Sequence, residues 1–432
     1  MKMIAAVAAR ANISKSMAAS RAPKSGDVAM PTLPEHNSIQ YLIRPDGGQL
    51  CVKPLVPYHP LACEFLAELS TRILADGDAR RFPDVVSFAY WCRKANIEKL
   101  RREHGEQQVR LGLGLAFHIA PSNVPVNFAF SFVFSLLAGN ANIVRVPSKP
   151  FEQIGIICRA ISALLAQDKY QDIAAMTAFV GYPQDDAVTA AFSVMCHARI
   201  IWGGDQTISH IRQIPASARC VEVAFSDRYS FGVVDAASVQ AAQPAQIEAL
   251  AQGFYNDIFL MDQNACSSPH LLVWLGEADA IAKAKAKFWE CVAAVTRAKL
   301  DLQPVNAVDK FTLLCRNAID STEVAGVHRH GNFLYRVKLE TLPEKMEEFR
   351  GKHGLVYEFD TAALDSVAGI VNPKYQTMTY FGLEKTAAME FVVKNRLSGI
   401  DRVVPVGTAL DIGIVWDGYD LVRSLSRIVD FR

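Results

Sequence analysis

LGLGLAFHIAPSNVPVNFAFSFVFSLLAGNANIVRVPS, residues 111–148, decides how the chain folds. Leu115–Ile119 is a short apolar run of strand length, Phe128–Leu137 is a longer one of helix length, and Ile143–Val146 is short again. Strand, helix and strand in succession, all apolar, read as a β-α-β crossover in a sheet covered on both faces. Val124–Gly139 is interrupted by Pro125, Asn127 and Ser131 and falls short of the ~20 residues that cross a bilayer, so it reads as a buried helix and no membrane span is expected. The alternation continues through strands at Met176–Val180, Arg199–Trp202, Cys220–Ala224 and Phe231–Val234. Helices are expected between them at Glu152–Leu165, Asp185–Val194 and Gln206–Gln213. Such repetition predicts an α/β chain with a mostly parallel, doubly wound sheet, whose ligands sit beyond the carboxyl ends of the strands.

Outward from this block, residues 37–110 mix Pro-rich turns with helices at Ala62–Leu74 and Val85–Leu100, an N-terminal helical layer. Residues 1–36 read as a flexible tail. Met1–Met30 is rich in Ala and Ser and carries Lys2, Arg10, Lys15, Arg21 and Lys24 before its first acid, Asp27, a composition shared by transit peptides and plain disordered segments, of which the second is preferred. The crossover block spans 111–257 and closes with a helix at Ala245–Asn256. A second α/β block, 258–385, holds the loop Met261–Pro269, a strand Leu271–Leu275, a helix Ala278–Leu300 and strands near Phe311–Cys315, Phe333–Lys338 and Thr377–Phe381. Residues 386–432 are expected to pack back on the core.

The 432 residues carry 45 Lys+Arg against 44 Asp+Glu, so no net field favours a polyanion and nucleic-acid binding is not expected. Nine cysteines scattered over this length, none in a C-x-x-C pair, fit reduced thiols of a cytoplasmic protein without a metal site. Gly112 and Gly114 lack the third glycine of a dinucleotide fingerprint and precede a strand instead of following one. No G-x-S-x-G elbow or phosphate-binding P-loop occurs.

Certain polar residues stand where a buried chain would not place them. Asn123, between Pro121 and Pro125 at the end of an apolar strand, offers either an amide donor to a ligand oxygen or an ordinary helix cap. Cys266 lies in the polar run Asp262–His270 just before a strand, whereas Cys158, Cys196, Cys291 and Cys315 fall in apolar runs and read as core, which makes Cys266 the better candidate nucleophile. Gly203 and Gly204, between a strand and a helix, suit either a tight turn or a phosphate at the helix N-terminus. The C-terminal runs Gly399–Gly407, Trp416–Tyr419 and Leu425–Arg427 suggest loops tied into a site.

In this order the segments His118–Pro125, Ala141–Ser148, Trp202–Asp205, Gln263–His270, Gln376-Thr377 and Trp416–Arg427 resemble the LuxC-type acyl-CoA reductases of the aldehyde dehydrogenase superfamily, over roughly residues 105–432. The resemblance implies an aldehyde dehydrogenase-like fold, with a Rossmann-type cofactor domain at 111–257 and a catalytic domain at 258–385. It also implies NAD(P)H-dependent reduction of an acyl thioester to an aldehyde. Cys266 maps to the catalytic thiol and Asn123 to the oxyanion-holding amide. Arg145, Pro147 and Ser148 map to the adenosine side of the cofactor, and Gly203 and Gly204 to its pyrophosphate. NADPH is expected, with NADH as the alternative, and Arg145 beside a 2′-phosphate. The implied partners are acyl-CoA or an acylated protein, an acyl-transfer protein, and further copies of the chain in a homo-oligomer. The alternatives are an aldehyde dehydrogenase, acylating or ordinary, working oxidatively, and a non-catalytic scaffold subunit. One departure stands out. Where aldehyde-oxidising relatives carry a water-activating Glu in a Glu-Leu-Gly-Gly-Lys segment, the register Ala224-Phe-Ser-Asp-Arg228 places Ala224, with Glu222 two residues upstream.

Overall fold

The computed structural model describes residues 30–105, 108–122, 124–320 and 322–432, so most of the expected tail lies outside the described residues. The chain divides into two compact units. One comprises the chain up to Ile200 with Ile214–Val223 and Leu425–Arg432, and the other comprises Ile201–Gln213 with Ala224–Ser424.

The first unit opens with β1 (Gln40–Ile43) and helices Pro60–Ala75, Pro83–Trp91 and Lys94–His104. Pro60 and Pro83 start their helices where the missing N–H costs nothing. The single helix expected over Val85–Leu100 is two. Buried Val85, Phe88, Ala89 and Cys92 keep helical spacing, but the next buried residue is Ile97, one position out of phase, and the extended Arg93 resets the register. There follow β2 (Arg110–Gly112), β3 (Leu115–Ile119), β4 (Ala141–Arg145), β5 (Thr177–Gly181), β6 (Ala198–Trp202) and β7 (Val221–Phe225). The sheet order is β1-β5-β4-β3-β6-β7, with β3, β4 and β5 parallel and β1 antiparallel at the edge. Helix Asn127–Leu137 is buried from Phe128 to Leu137, as an apolar sequence broken there only by Ser131 and Ser135 demands. A Cβ on Gly112 would strike the Gly139 carbonyl and sit 2.9 Å from Asn140 Oδ1, and one on Gly114, φ 125°, would come 2.7 Å from His197 Nδ1, which is why the Gly-x-Gly pair is there.

The second unit holds β8 (Tyr229–Asp235), β9 (Pro269–Leu275), β10 (Val324–His330), β11 (Leu334–Leu339), β12 (Leu355–Thr361), β13 (Tyr375–Phe381), β14 (Arg402–Pro405) and the short hairpin β15 (Val415-Trp416) and β16 (Tyr419-Asp420). Its seven-stranded sheet runs β10-β11-β12-β9-β8-β13-β14, parallel except for β10. Helices Pro244–Phe259 and Ala278–Lys299 cover one face through Phe254, Phe288 and Trp289, while Leu314, Ala388 and Phe391 pack the other. β8 and helix Pro244–Phe259, read from sequence with the first block, run with this sheet, because the crossover pattern passes from one sheet to the next without a break in composition. The last strand, β17 (Ser426–Ile428), returns to pair with β2 in the first unit.

The strand expected at Phe311–Cys315 is part of helix Pro304–Asp320. Its inward face carries the buried Lys310, whose ammonium donates to the His353 carbonyl at 2.8 Å, and Leu314 one turn on. Cys315, expected in the core, is therefore exposed, and Cys291 is only partly buried. Cys158 and Cys196 are buried as expected. No helix among the described residues is long and apolar enough to cross a membrane.

Candidate active site

Helix Pro244–Phe259 ends in a loop where Asp262 and Gln263 take φ of 48° and 58°, two successive left-handed residues without a glycine. Such backbone persists only when its surroundings hold it. Here the buried Gln263 side chain does so: Nε2 donates to Leu355 O at 3.0 Å and Pro269 O at 3.3 Å, and Oε1 accepts from Gly354 N at 3.0 Å. A Cβ on Gly351 would fall on the Leu355 carbonyl and 2.8 Å from Gln263 Nε2, so glycine is required beside this clamp.

Cys266 follows, partly buried and free, with Sγ 4.0 Å from the Ser226 carbonyl. Ser230 Oγ on β8 donates to the Cys266 carbonyl at 2.7 Å and accepts from Thr377 N on β13 at 3.1 Å. Thr377 Oγ1 donates to Gln376 Oε1 at 3.1 Å, and the Gln376 amide donates to Asp417. A continuous relay thus joins the Cys266 backbone to a carboxylate beyond the sheet. Around it Arg228 donates to Tyr375 O at 2.9 Å and pairs with Asp401, and Arg350 pairs with Asp227 at 2.9 Å. Burial holds the Cys266 thiol above the ordinary thiol range. A hydrogen bond to the backbone at Arg228 opposes that rise, the carboxylates of Asp417 and Asp227 add to it, and Arg350 partly offsets it. Burial also raises Asp417 to about 6 against the Gln376 amide. His270, stacked on Tyr229 with ring centroids 5.3 Å apart, accepts from Gly351 N at 3.1 Å and is driven down to about 3 by burial, so its ring is neutral.

The same unit carries Gly203 and Gly204. Gly203 N donates to Phe225 O at 3.1 Å, and Trp202 stacks on Phe225 with centroids 3.7 Å apart, so the glycine turn is pinned to the strand that leads into Ser226. A Cβ on Gly204 would meet nothing within 4 Å, which leaves its backbone open at the start of helix Asp205–Gln213. Asp205, an acid at that end, is paired with Lys374 at 2.9 Å.

In the first unit Arg145 ends β4, its guanidinium 4.3 Å from the Tyr182 ring centre and donating to Tyr182 O at 3.3 Å; Pro147 is buried and Ser148 exposed. Asn123 lies outside the described residues. The strand before it is locked by His118, wholly buried and pushed down to about 4 by burial. Its Nε2 is 3.0 Å from Asn142 Oδ1, which can only accept, so Nδ1 at 2.7 Å takes the Ser131 hydroxyl proton. Glu222 is paired with buried Arg199 at 2.8 Å, and Ala224 is partly buried. No group of three His, Cys, Asp or Glu among the described residues could hold a metal ion.

The sequence singles out Cys266 and the Gly203-Gly204 turn as candidates and assigns no role to Gln263, Ser230, Arg228, Arg350, Gln376 or Asp417. Their signal is tertiary, the pairing of β8 with β13 for Ser230 and Gln376 and contacts between distant loops for Gln263 and Arg350, which no local pattern carries.

The family model described as acyl-CoA reductase (LuxC) matches residues 93–430. The long-chain acyl-protein thioester reductase of Aliivibrio fischeri is 26% identical over 168 residues, 38% of this chain and 32% of that one. The enzyme of the same name from Vibrio harveyi is 27% identical over an equal length and equal shares. The match thus spans about a third of the length of these relatives. Among solved structures, an NAD-dependent benzaldehyde dehydrogenase from Corynebacterium glutamicum superposes with a TM-score of 0.59 at 12% identity over 94% of this chain and 98% of that one. A putative aldehyde dehydrogenase from Burkholderia cenocepacia gives 0.56 at 15% identity over 86% and 84%. On a fold shared with aldehyde dehydrogenases, and with a family match that runs through both units, the chain belongs to the acyl-CoA reductase (LuxC) family.

Proposed function

We propose that the chain reduces an acyl thioester, carried on coenzyme A or on a protein, to the aldehyde through an acyl-enzyme on Cys266, with NADPH or NADH as reductant. The observation that carries this reading is the Cys266 loop: a free thiol on a left-handed turn clamped by Gln263 and tied through Ser230 to the sheet. A structural cysteine needs no such support. Cys266 Sγ loses its proton and attacks the thioester carbonyl carbon; the new S–acyl bond forms as the bond to the departing thiol breaks, and that thiol takes up a proton. The family resemblance assigns the oxyanion of this step to the Asn123 amide.

The residues present fit a dinucleotide. Gly204 has the open backbone that a diphosphate requires, the first N–H groups of the helix behind it have no intrahelical partners, and the Asp205 charge is answered by Lys374. Gly203 and Gly204 would hold the diphosphate, and Arg145, Pro147 and Ser148 the adenosine end. The cofactor supplies hydride when bound. Arg145→Ala should weaken NADPH more than NADH if its guanidinium answers a 2′-phosphate; equal weakening removes that role.

Following NAD(P)H oxidation and aldehyde release with a panel of acyl-CoAs and an acylated carrier protein tests the reading and identifies the donor. Cys266→Ala should abolish turnover, while the other cysteines replaced singly by Ala should stay within about tenfold, ~1.4 kcal/mol. Full turnover in Cys266→Ala would overturn the proposal.

A further inference from the structure

The first unit contains a pair of sulfurs with no part in the chemistry above. Cys196 stands two residues before β6 and Cys220 immediately before β7, and their Sγ atoms are 3.7 Å apart. Val221 N donates to His197 O at 3.0 Å, which sets Cys220 beside His197 and leaves Cys196 one position from directly opposite it. With strands ~4.8 Å apart and a rise of ~3.3 Å per residue, such a diagonal pair stands about 6 Å apart, inside the Cα separations that a disulfide spans. Ser217 Oγ, bonded to Cys196 O at 2.9 Å, and Cys220 N, bonded to Ser217 O at 2.9 Å, hold the pair in this relation. Cys196 is buried and Cys220 partly exposed, so an oxidant in solution reaches one and not the other.

We propose that Cys196 and Cys220 are a redox-modification site that hydrogen peroxide or an organic hydroperoxide converts to an intramolecular disulfide. The Cys220 thiolate attacks the peroxide oxygen, breaking the O–O bond to give a sulfenic acid and a hydroxide that takes a proton from solvent and leaves as water. The Cys196 thiol then attacks the Cys220 sulfur, a second water leaves, and the S–S bond forms with both sulfurs oxidised by one equivalent of peroxide. The contact with the Cys196 S–H lowers the Cys220 thiol, and Arg199 acts in the same direction, which favours Cys220 as the attacking sulfur. The bridge would fasten the starts of the two strands whose ends lead into Gly203 and Ser226.

The test treats the full chain, freed of reductant, with one equivalent of hydrogen peroxide, blocks remaining thiols and digests with trypsin. The tryptic peptides Tyr170–Arg199 and Cys220–Arg228 should appear joined, two hydrogens lighter than their sum, and should separate on reduction. Cys196→Ser should instead accumulate a dimedone-reactive sulfenic acid at Cys220, and Cys220→Ser should leave Cys196 unmodified. Oxidation should raise the melting temperature of the wild-type chain and not that of Cys220→Ser. Absence of the linked peptides, or a disulfide of either residue to any other cysteine, would overturn the proposal. It stands or falls independently of turnover, because the readout is the covalent bond.

Discussion

Cys266 rests as a thiol at neutral pH, since burial and the Asp227 and Asp417 carboxylates all disfavour its thiolate. Below the thiol's pKa the thiolate fraction increases tenfold per pH unit, so alkylation of Cys266 by iodoacetamide, followed by peptide mapping, should accelerate about a hundredfold from pH 7 to pH 9. A rate already flat by pH 7 would mean a preformed thiolate and a different electrostatic balance. Glu222 and Ala224 make the second residue-scale prediction. Ala224 carries no base, and Glu222 is engaged by Arg199 about 7 Å further along the strand. The acyl-enzyme should therefore hydrolyse slowly, because a positioned carboxylate contributes ~10²–10⁴ to such a step. Aldehyde and oxidised cofactor should give little free acid until coenzyme A is added, and Ala224→Glu should raise acid formation if its side chain reaches the thioester. Rapid acid release by the wild type without coenzyme A would favour the ordinary dehydrogenase reading.

Among elements, β12 carries the most consequential buried charge. Glu358 Oε1 accepts from the indole N–H groups of Trp274 and Trp289, each at 2.8 Å, with Lys285 Nζ 3.6 Å from the same oxygen, and Oε2 accepts from Arg336 Nε at 3.0 Å. Removing the carboxylate strands these donors, so Glu358→Ala should cost about 3–5 kcal/mol in denaturant unfolding, with Glu358→Gln milder because one oxygen remains for the indoles. A loss under about 1 kcal/mol would show that water replaces the carboxylate. Helix Pro244–Phe259 meets the turn after β14 backbone to backbone: a Cβ on Gly407, φ 97°, would come 2.7 Å from Gly253 Cα, and Asp257 accepts from Gly407 N at 2.7 Å and Ala409 N at 3.0 Å. Gly407→Ala should lower the melting temperature by several degrees, from strain and clash together; an unchanged value would mean the turn yields freely. The strands of the first block were legible because they are short, apolar and uninterrupted. Helix Pro304–Asp320 was not, because Phe311–Cys315 is β-prone and the inward Lys310 disguises its helical spacing. β10 and β14 escaped notice because one is largely exposed and the other only four residues long.

For the whole molecule, the order of matched segments carried the family from sequence to structure, and the fold likeness extends over most of the chain at only 12–16% identity. Cys266 stands out in the sequence as a candidate because a cysteine in a polar loop contrasts with cysteines in apolar runs, though of those only Cys158 and Cys196 are buried. The relay from Ser230 through Thr377 and Gln376 to Asp417 was not, because its members are up to 187 positions apart in the sequence and meet only once β8 and β13 pair. The division of the crossover pattern between two sheets likewise has no marker in composition. The central claim is that acyl groups pass through Cys266. Incubating the chain with a long-chain acyl-CoA in the absence of nicotinamide cofactor, then measuring intact mass and mapping the adduct, tests it most directly. One acyl group should appear on the peptide containing Cys266, should disappear when NAD(P)H is added as aldehyde is released, and should be absent in Cys266→Ala. An adduct on another residue that is competent to give aldehyde, or aldehyde formation by Cys266→Ala, would contradict the account.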